Sequence, residues 1–317
     1  MNNLKILFRG SLAEEKEQEA AAKYFTIIDS RVKVKEGDFI IPRYSVVPFA
    51  KEFFEDMDYV GAKTINSYSQ YKYIADIKNY VSDLGDLTFR TWLASDGFYN
   101  LPDNCSFVLK GETNSKKFEW KDMMFAEDKS QITEVHSKLL KDGIIGDQEI
   151  YIREYIPLKT FLVSFKGLPI TNEYRFFVVN RQIISSGYYW SNYYDDLIDQ
   201  GINLNPEQVP KSFLKEVIDR VGDNCYAYVI DVGETQDGRW IVIELNAFEQ
   251  SGLSENDPNI LYSNLRNALK DIPIELIDLP DNPTIHFPDE ESSKKRREAF
   301  VEWMTRGSAY KGHKNNE

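Results

Sequence analysis

The chain has 317 residues, 42% of them hydrophobic and 28% charged, with a formal net charge of −13. That length supports one large domain or two to three small ones with real cores, and the composition is that of an ordinary soluble globular protein. The acid excess argues against a nucleic-acid backbone or an anionic membrane as the main partner, while leaving room for a local basic site that takes a nucleotide. Cys105 and Cys225 are the only cysteines and lack metal-ligand spacing, so a reducing cytoplasm is expected. "MNNLKILFRG" has no signal-peptide cleavage site, and no apolar run reaches the roughly 18 residues needed to span a bilayer.

In chain order, "LKILF" (Leu4–Phe8) reads as a strand, and Ser11 as the cap of a helix over "AEEKEQEAAAKYF". "DFIIPRYSVVP" reads as a second strand leaving into a turn, with Pro48 opening the helix "FAKEFFEDM". This strand–helix alternation predicts a small α/β unit over residues 1–66, too short for a dinucleotide fold and without G-x-G-x-x-G after its first strand. A second unit, 67–149, opens with a helix capped at Ser67 or Ser69, with Tyr71, Ile74 and Val81 inward. It continues through "SFVLKGETNSKKFEW", read as a strand, a polar loop and a returning strand. It ends with an amphipathic helix placing Ile132, Val135, Leu139 and Leu140 on one stripe. A third, strand-rich unit spans 150–279, and 280–317 reads as a charged tail with one helix at 292–304.

The third unit contains "VIDVGETQDGRWIVIELNAFEQSG", two apolar arms that both carry acids. Asp237-Gly238 favours a two-residue hairpin loop, which pairs Gln236 with Arg239 and, counting back, Asp231 with Glu244. Cross-strand partners share a face, and Asn246 joins them by the period of two. Ile241, Ile243 and Leu245 are then expected on the other, core-facing side with Tyr226, Tyr228 and Ile230. Directly opposed carboxylates destabilise a sheet unless a cation lies between them, and two carboxylates with an amide suit Mg²⁺. A solvated strand face carrying acids is the alternative, and a three-residue loop would separate the acids.

The order in which Lys110 ends a strand, a Gly-containing loop follows, and "IYIREYIPL", "EYRFFVV" and the acid hairpin come next resembles the ATP-grasp superfamily. Within it the chain is similar to the carboxylate–amine (peptide) ligases of bacteria and their viruses, over about residues 67 to 275. The resemblance implies an α+β fold in which two α+β subdomains clamp ATP, here preceded by the small α/β N-terminal domain. It also implies an ATP-dependent ligase that forms an amide through an acyl-phosphate, with ATP and Mg²⁺ as cofactors and small-molecule or peptide carboxylates and amines as partners.

Carried over residue by residue, Lys110 contacts the α/β-phosphates, and the loop from Gly111 to Lys117 covers them with help from Lys116 or Lys117. Backbone groups near Tyr155 and Ile156 take the adenine edge, and Glu154 the ribose. Arg175 is directed at phosphate or acyl-phosphate, with Glu173 able to orient it, and Lys72 is the second lysine. Asp231, Glu244 and Asn246 fill the metal positions. Trp190 stands where many relatives offer a basic residue. Arg9 and Arg43 are candidates for a substrate carboxylate, each equally able to be a plain ion-pair partner. A hydroxyl-directed phosphotransferase and a non-catalytic nucleotide-binding protein are the competing classes. No Ser-His-Asp or Cys-His set is present.

Overall fold

The computed structural model describes residues 3–9, 15–113, 115–164 and 167–270. The Ser11 cap and the 280–317 tail expected from the sequence lie outside them. The chain divides into two compact units, one made of residues up to Thr88, Leu158–Leu162 and Ile170 onward, the other of Phe89–Pro157 and Val163–Pro169.

The first unit contains two sheets. Leu4–Phe8 is central in a parallel sheet between Thr26–Ile28 and Phe39–Arg43, with Lys63–Thr64 at the edge. Phe39–Arg43 is buried along its whole length, as a parallel strand covered on both faces must be. The second sheet is antiparallel, in the order Gln182–Tyr188, Glu173–Val179, Ala227–Glu234, Trp240–Ala247. Ile6, Phe8, Phe39 and Ile41 of the first sheet share one core with Phe177, Val179, Ala227 and Val229 of the second, closed by Leu261, Tyr262 and Leu265 of helix Pro258–Ala268. One end of the second sheet's face is therefore apolar and sealed, and the polar end of the same face holds the residues considered below.

Helix Tyr68–Ala75 begins with a reciprocal capping box between Ser67 and Gln70, which satisfies two otherwise orphaned donors. Asp76 breaks the single helix expected there. Its backbone is extended and its side chain caps the next helix, Ile77–Leu84, whose inward residues are Ile77, Tyr80 and Leu84.

The second unit is an antiparallel sheet ordered Thr91–Leu93, Ile150–Glu154, Phe107–Gly111, Phe125–Ala126. Helix Ile132–Leu140 buries Ile132, Val135 and Leu139 against Phe107, Leu109, Ile150 and Ile152. Leu140, expected on the same stripe, is exposed. The returning strand expected after the Lys110 loop is only Phe125–Ala126. The segment before it coils into helical turns over Lys117–Met124, where Trp120 stacks on Phe125 at 5.9 Å.

These units cut across the boundaries read from the sequence. Helices Tyr68–Ala75 and Ile77–Leu84, expected to open the central subdomain, belong to the first unit. Strand Ile150–Glu154, expected to open the C-terminal subdomain, lies inside the second unit's sheet. Its alternate residues Ile150 and Ile152 complete that unit's core.

Candidate active site

The acid hairpin reaches the expected pairing by an unexpected route. Glu234 pairs with Trp240, Thr235 N–H donates to the Arg239 carbonyl at 2.7 Å, and only Gly238 takes a left-handed conformation, at φ 83°. That is a three-residue loop in place of the two-residue turn, and alone it would put Asp231 out of step with Glu244. A bulge restores the step: Val232 pairs with Val242 but Asp231 pairs with Glu244, leaving Ile243 as the extra residue. The bulge also moves Ile243 off the core face where it was expected. Its Cδ1 lies 3.1 Å from where a Cβ on Gly233 would stand, beside the Glu173 Cγ at 3.3 Å. A side chain at Gly233 would therefore crowd the same face as the acids and push these neighbours aside by a few tenths of an ångström.

Arg175 pairs directly across from Asp231. Its Nε donates to Asp231 Oδ1 at 2.8 Å and its Nη2 to Oδ2 at 2.7 Å, a forked contact open to arginine and not to lysine. Nη1 donates to the Gly252 carbonyl at 2.8 Å, and the guanidinium lies 4.9 Å over the Tyr189 ring. Burial alone would lower the Arg175 guanidinium, but Asp231 overrides it and holds the group above its ordinary value. Three of five N–H donors are engaged in these bonds. Asp231, not Glu173, therefore orients Arg175. Glu173 instead accepts from Thr171, whose hydroxyl oxygen also takes the Trp190 indole N–H at 3.3 Å.

Asn246 donates Nδ2 to Asp231 Oδ2 at 2.8 Å, which turns its own carbonyl oxygen away from the aspartate. Glu244 is half-buried and pairs directly across from Asp231, while Asn246 pairs with Val229. The donor set fits a hard divalent cation: two carboxylates and an amide oxygen, with no soft or nitrogen ligand. A carboxylate offers about four acceptor positions, and Asp231 fills three with Arg175 and Asn246. Among the described residues no three His, Cys, Asp or Glu side chains cluster for a metal, so a metal here depends on the amide.

The loop after the hairpin is held at both ends. Arg43 donates Nη1 to the Phe248 carbonyl and Nη2 to the Ser251 carbonyl at 2.9 Å, and its Nε to Glu17 at 2.9 Å. Tyr262 OH donates to the same Glu17 oxygen at 2.6 Å. Arg43, a candidate for substrate, is thus a buried brace for this loop, because neighbouring groups claim its guanidinium from every side, the Phe177 and Phe248 rings included. Glu249 sits in the loop 2% exposed, with Oε2 lacking a partner, and burial pushes its carboxyl up to about 7. The loop continues across the sheet, where a Cβ on Gly187 would fall 2.3 Å from the Glu255 backbone.

The other candidates stand on other elements. Lys72 is 7% exposed on its helix, and Arg9 is exposed beyond the first strand. In the second unit, Lys110 pairs with Tyr151 on the face opposite the Phe107–Leu109 core, and Gly111 with Ile150. Lys116 forms an ion pair with Asp142 at 2.5 Å. Glu154, expected to take ribose, is gripped by Arg90 at 2.7 and 2.9 Å, a hydrogen bond that lowers its carboxyl from the ordinary value. Tyr155 donates its N–H to the Ser106 carbonyl at 2.8 Å and packs its ring 5.0 Å from Phe125, and Ile156 is half-buried. Arg153 escaped the sequence reading. It pairs with Val108 and so shares the Lys110 face, only 6% exposed, with its guanidinium 4.7 Å over the Phe89 ring. The alternation in "IYIRE" contains that signal, but the face becomes known only through the register.

The model of a family described as an ATP-grasp domain, the third family of its clade, matches residues 100–265. No curated protein matches the sequence. Among solved structures, the D-cycloserine synthetase DcsG aligns with a TM-score of 0.55 at 12% identity, over 84% of this chain and all of that one. A RiPP-associated ATP-grasp ligase from Chryseobacterium gregarium, in complex with ADP and a leader and core peptide, gives 0.53 at 11% identity over 86% and 97%. A RimK domain ATP-grasp protein from Sphaerobacter thermophilus gives 0.51 at 14% over 82% and 98%. Likeness at these identities is a likeness of fold, and the fold is the α+β architecture of these proteins. No helix among the described residues is long and apolar enough to cross a membrane.

Proposed function

Because this chain belongs to that family of ATP-grasp domains, we propose that it is an ATP-dependent carboxylate–amine ligase of the cytoplasm. It joins a small-molecule or peptide carboxylate to an amine, with release of ADP and phosphate. The observation that carries this reading is the gathering of Arg175, Asp231, Glu244 and Asn246 on one sheet face by register and bulge. The peptide-bound ligases among the structural neighbours support a peptide substrate class.

The reaction asks for cations and fixed dipoles more than for a nucleophile of the protein's own. A substrate carboxylate oxygen bonds to the γ-phosphorus of ATP as the bond to ADP breaks. The amine nitrogen then bonds to the acyl carbon, phosphate leaves, and the amine proton goes to solvent. Arg175, fixed by Asp231, directs its two remaining N–H donors at the transferring phosphoryl oxygens. Lys110 offsets charge on the α/β-phosphates. The Gly111–Lys117 loop supplies backbone N–H groups, and the backbone near Tyr155 and Ile156 takes the base. Glu154 reaches ribose by exchanging Arg90 for the sugar hydroxyls. That exchange is cheap, because Arg90 is 59% exposed. Asp231, Glu244 and Asn246 would hold Mg²⁺, which when bound supplies charge neutralisation at the phosphates. Lys72 completes the phosphate contacts, and Trp190 and Arg9 border the substrate end.

The test is a screen of amino acids and short peptides with Mg·ATP, measuring ADP and phosphate and assigning any amide by mass spectrometry. ADP release that needs both a carboxylate and an amine supports the ligase. ADP release with a hydroxyl acceptor and no amine, or none with any pair, overturns it.

A further inference from the structure

Resting on the role given to Arg175 above, we propose that Arg43 is a positioning residue for it. Arg43 acts through the loop after the acid hairpin, where it fixes the peptide that leads into the carbonyl on which Arg175 rests. Its Nη2 donates to the Ser251 carbonyl at 2.9 Å and its Nη1 to the Phe248 carbonyl. The Ser251 carbonyl belongs to the planar peptide joining Ser251 to Gly252, so holding that oxygen sets the plane. Arg175 Nη1 donates to the next carbonyl, that of Gly252, at 2.8 Å. Only the φ and ψ of Gly252 separate the oxygen held by Arg43 from the oxygen that holds Arg175.

Packing does not restrain those torsions. Gly252 is exposed, and apart from its chain neighbours no described atom lies within 4 Å of where its Cβ would stand. Glycine also has the widest backbone freedom of any residue. The Gly252 carbonyl is therefore placed by what holds the carbonyls on either side of it. On the far side, Asn256 donates its Nδ2 and its N–H to the Leu253 carbonyl at 2.8 and 3.1 Å. On the near side stands Arg43, helped by the Ser251 hydroxyl, which donates to the Ala247 carbonyl at 2.8 Å. Glu17 already meets the charge of Arg43 at 2.9 Å, so the contacts with Phe248 and Ser251 serve to hold backbone. A planar guanidinium spans two carbonyls three residues apart, where a lysine ammonium is a single point. At the other end of the path, Asp231 fixes Nε and Nη2 of Arg175 and Gly252 fixes Nη1. Without the Gly252 contact the guanidinium tilts on its fork, and a misplacement of about 1 Å costs on the order of a hundredfold in rate.

The experiment reads Arg175 itself by NMR, in the full-length chain with isotope-labelled arginine and no substrate. Its guanidinium signals are identified by their loss in Arg175→Lys. The rate of rotation about its Cζ–Nε bond is then measured well below the melting temperature of each protein. Arg43→Lys keeps a charge for Glu17 and loses the two-carbonyl span. It should speed the rotation of Arg175 by about tenfold or more, the worth of a hydrogen bond to a charged group. Tyr262→Phe removes the hydroxyl that donates to Glu17 at 2.6 Å and so weakens the same buried cluster, but both carbonyl contacts stay. It should leave the rotation as in the wild type, which a merely structural role for Arg43 would not separate from Arg43→Lys. Where Arg43→Lys does not fold, Ser251→Ala, which frees the Ala247 carbonyl, should speed the rotation by a smaller factor. Unchanged rotation in the variant that folds, or an equal rise in Tyr262→Phe, overturns the assignment. A wild-type chain that joins no carboxylate to an amine overturns the ligase reading instead, since the rotation is read without substrate.

Discussion

Arg43 and Arg175 are both buried, both lie on aromatic rings, and both donate to carbonyls of the loop between Phe248 and Gly252. They differ in charge balance. Arg43 meets one carboxylate, Glu17, which Tyr262 also satisfies, and its other acidic neighbour, Glu249, is pushed up to about 7 by burial. Arg175 meets Asp231 fully and has Glu244 as a further negative neighbour. The first cluster closes on itself. The second keeps an excess of acid oxygens on a half-buried face, and such an excess asks for a cation. Fractional burial alone would have ranked the two arginines alike.

The largest expected effect separates the two clusters directly. Removing one partner of a buried ion pair costs about 3–5 kcal/mol, so Arg43→Met and Arg175→Met should both melt well below the wild type. Mg²⁺ should raise the melting temperature of Arg175→Met, where two facing acids are left without their arginine, by more than that of Arg43→Met, which keeps the Asp231–Glu244–Asn246 site as it is. Equal gains in the two variants, or none in either, would erase the distinction.

Glu249 gives the next largest effect. Its carboxyl is raised from 4.5 to about 7, so above pH 4.5 the unfolded chain releases a proton that the folded chain keeps. Stability should fall as pH rises from about 4.5 through 7. Glu249→Gln should remove that fall, gaining up to about 3 kcal/mol over the wild type above pH 7 and nothing below pH 4.5. Parallel urea titrations at pH 4.5 and 8 check the sign, and a variant less stable at pH 8 would contradict it.

The smallest effect concerns Glu154. Its partner Arg90 is largely exposed, so Arg90→Ala should change stability by less than about 1 kcal/mol. If Glu154 takes ribose, the same variant should leave nucleotide affinity intact or slightly better. A marked loss of affinity would mean that Arg90 itself contacts the nucleotide.

Much of this was legible in the sequence, and the parts that were not share a cause. Period-two alternation placed Glu244 and Asn246 on one face because an alternation is local, whereas Asp231 was set opposite Glu244 by counting back from the turn. The loop length was misread, since Asp237-Gly238 also serves a three-residue loop with glycine left-handed. The acids met all the same because the bulge at Ile243 compensates, and nothing in "RWIVIELN" announces a bulge. Arg43 and Arg153 were misjudged or overlooked for a related reason. Their partners are 26 to 208 residues away for Arg43, and only the pairing of strands distant in sequence shows which face Arg153 occupies. The domain boundaries followed hydrophobic runs and turns. They failed at Ile150–Glu154, where a strand that begins a new run completes an earlier core.

The central claim is that the oxygens of Asp231, Glu244 and Asn246 hold one divalent cation. Its most direct test is Mn²⁺ binding, followed by paramagnetic resonance, in the wild type and in Glu244→Gln, with melting curves as the control. The account predicts one bound ion in the wild type and its loss in a variant that melts as the wild type does. Equal Mn²⁺ binding by the two proteins would contradict it.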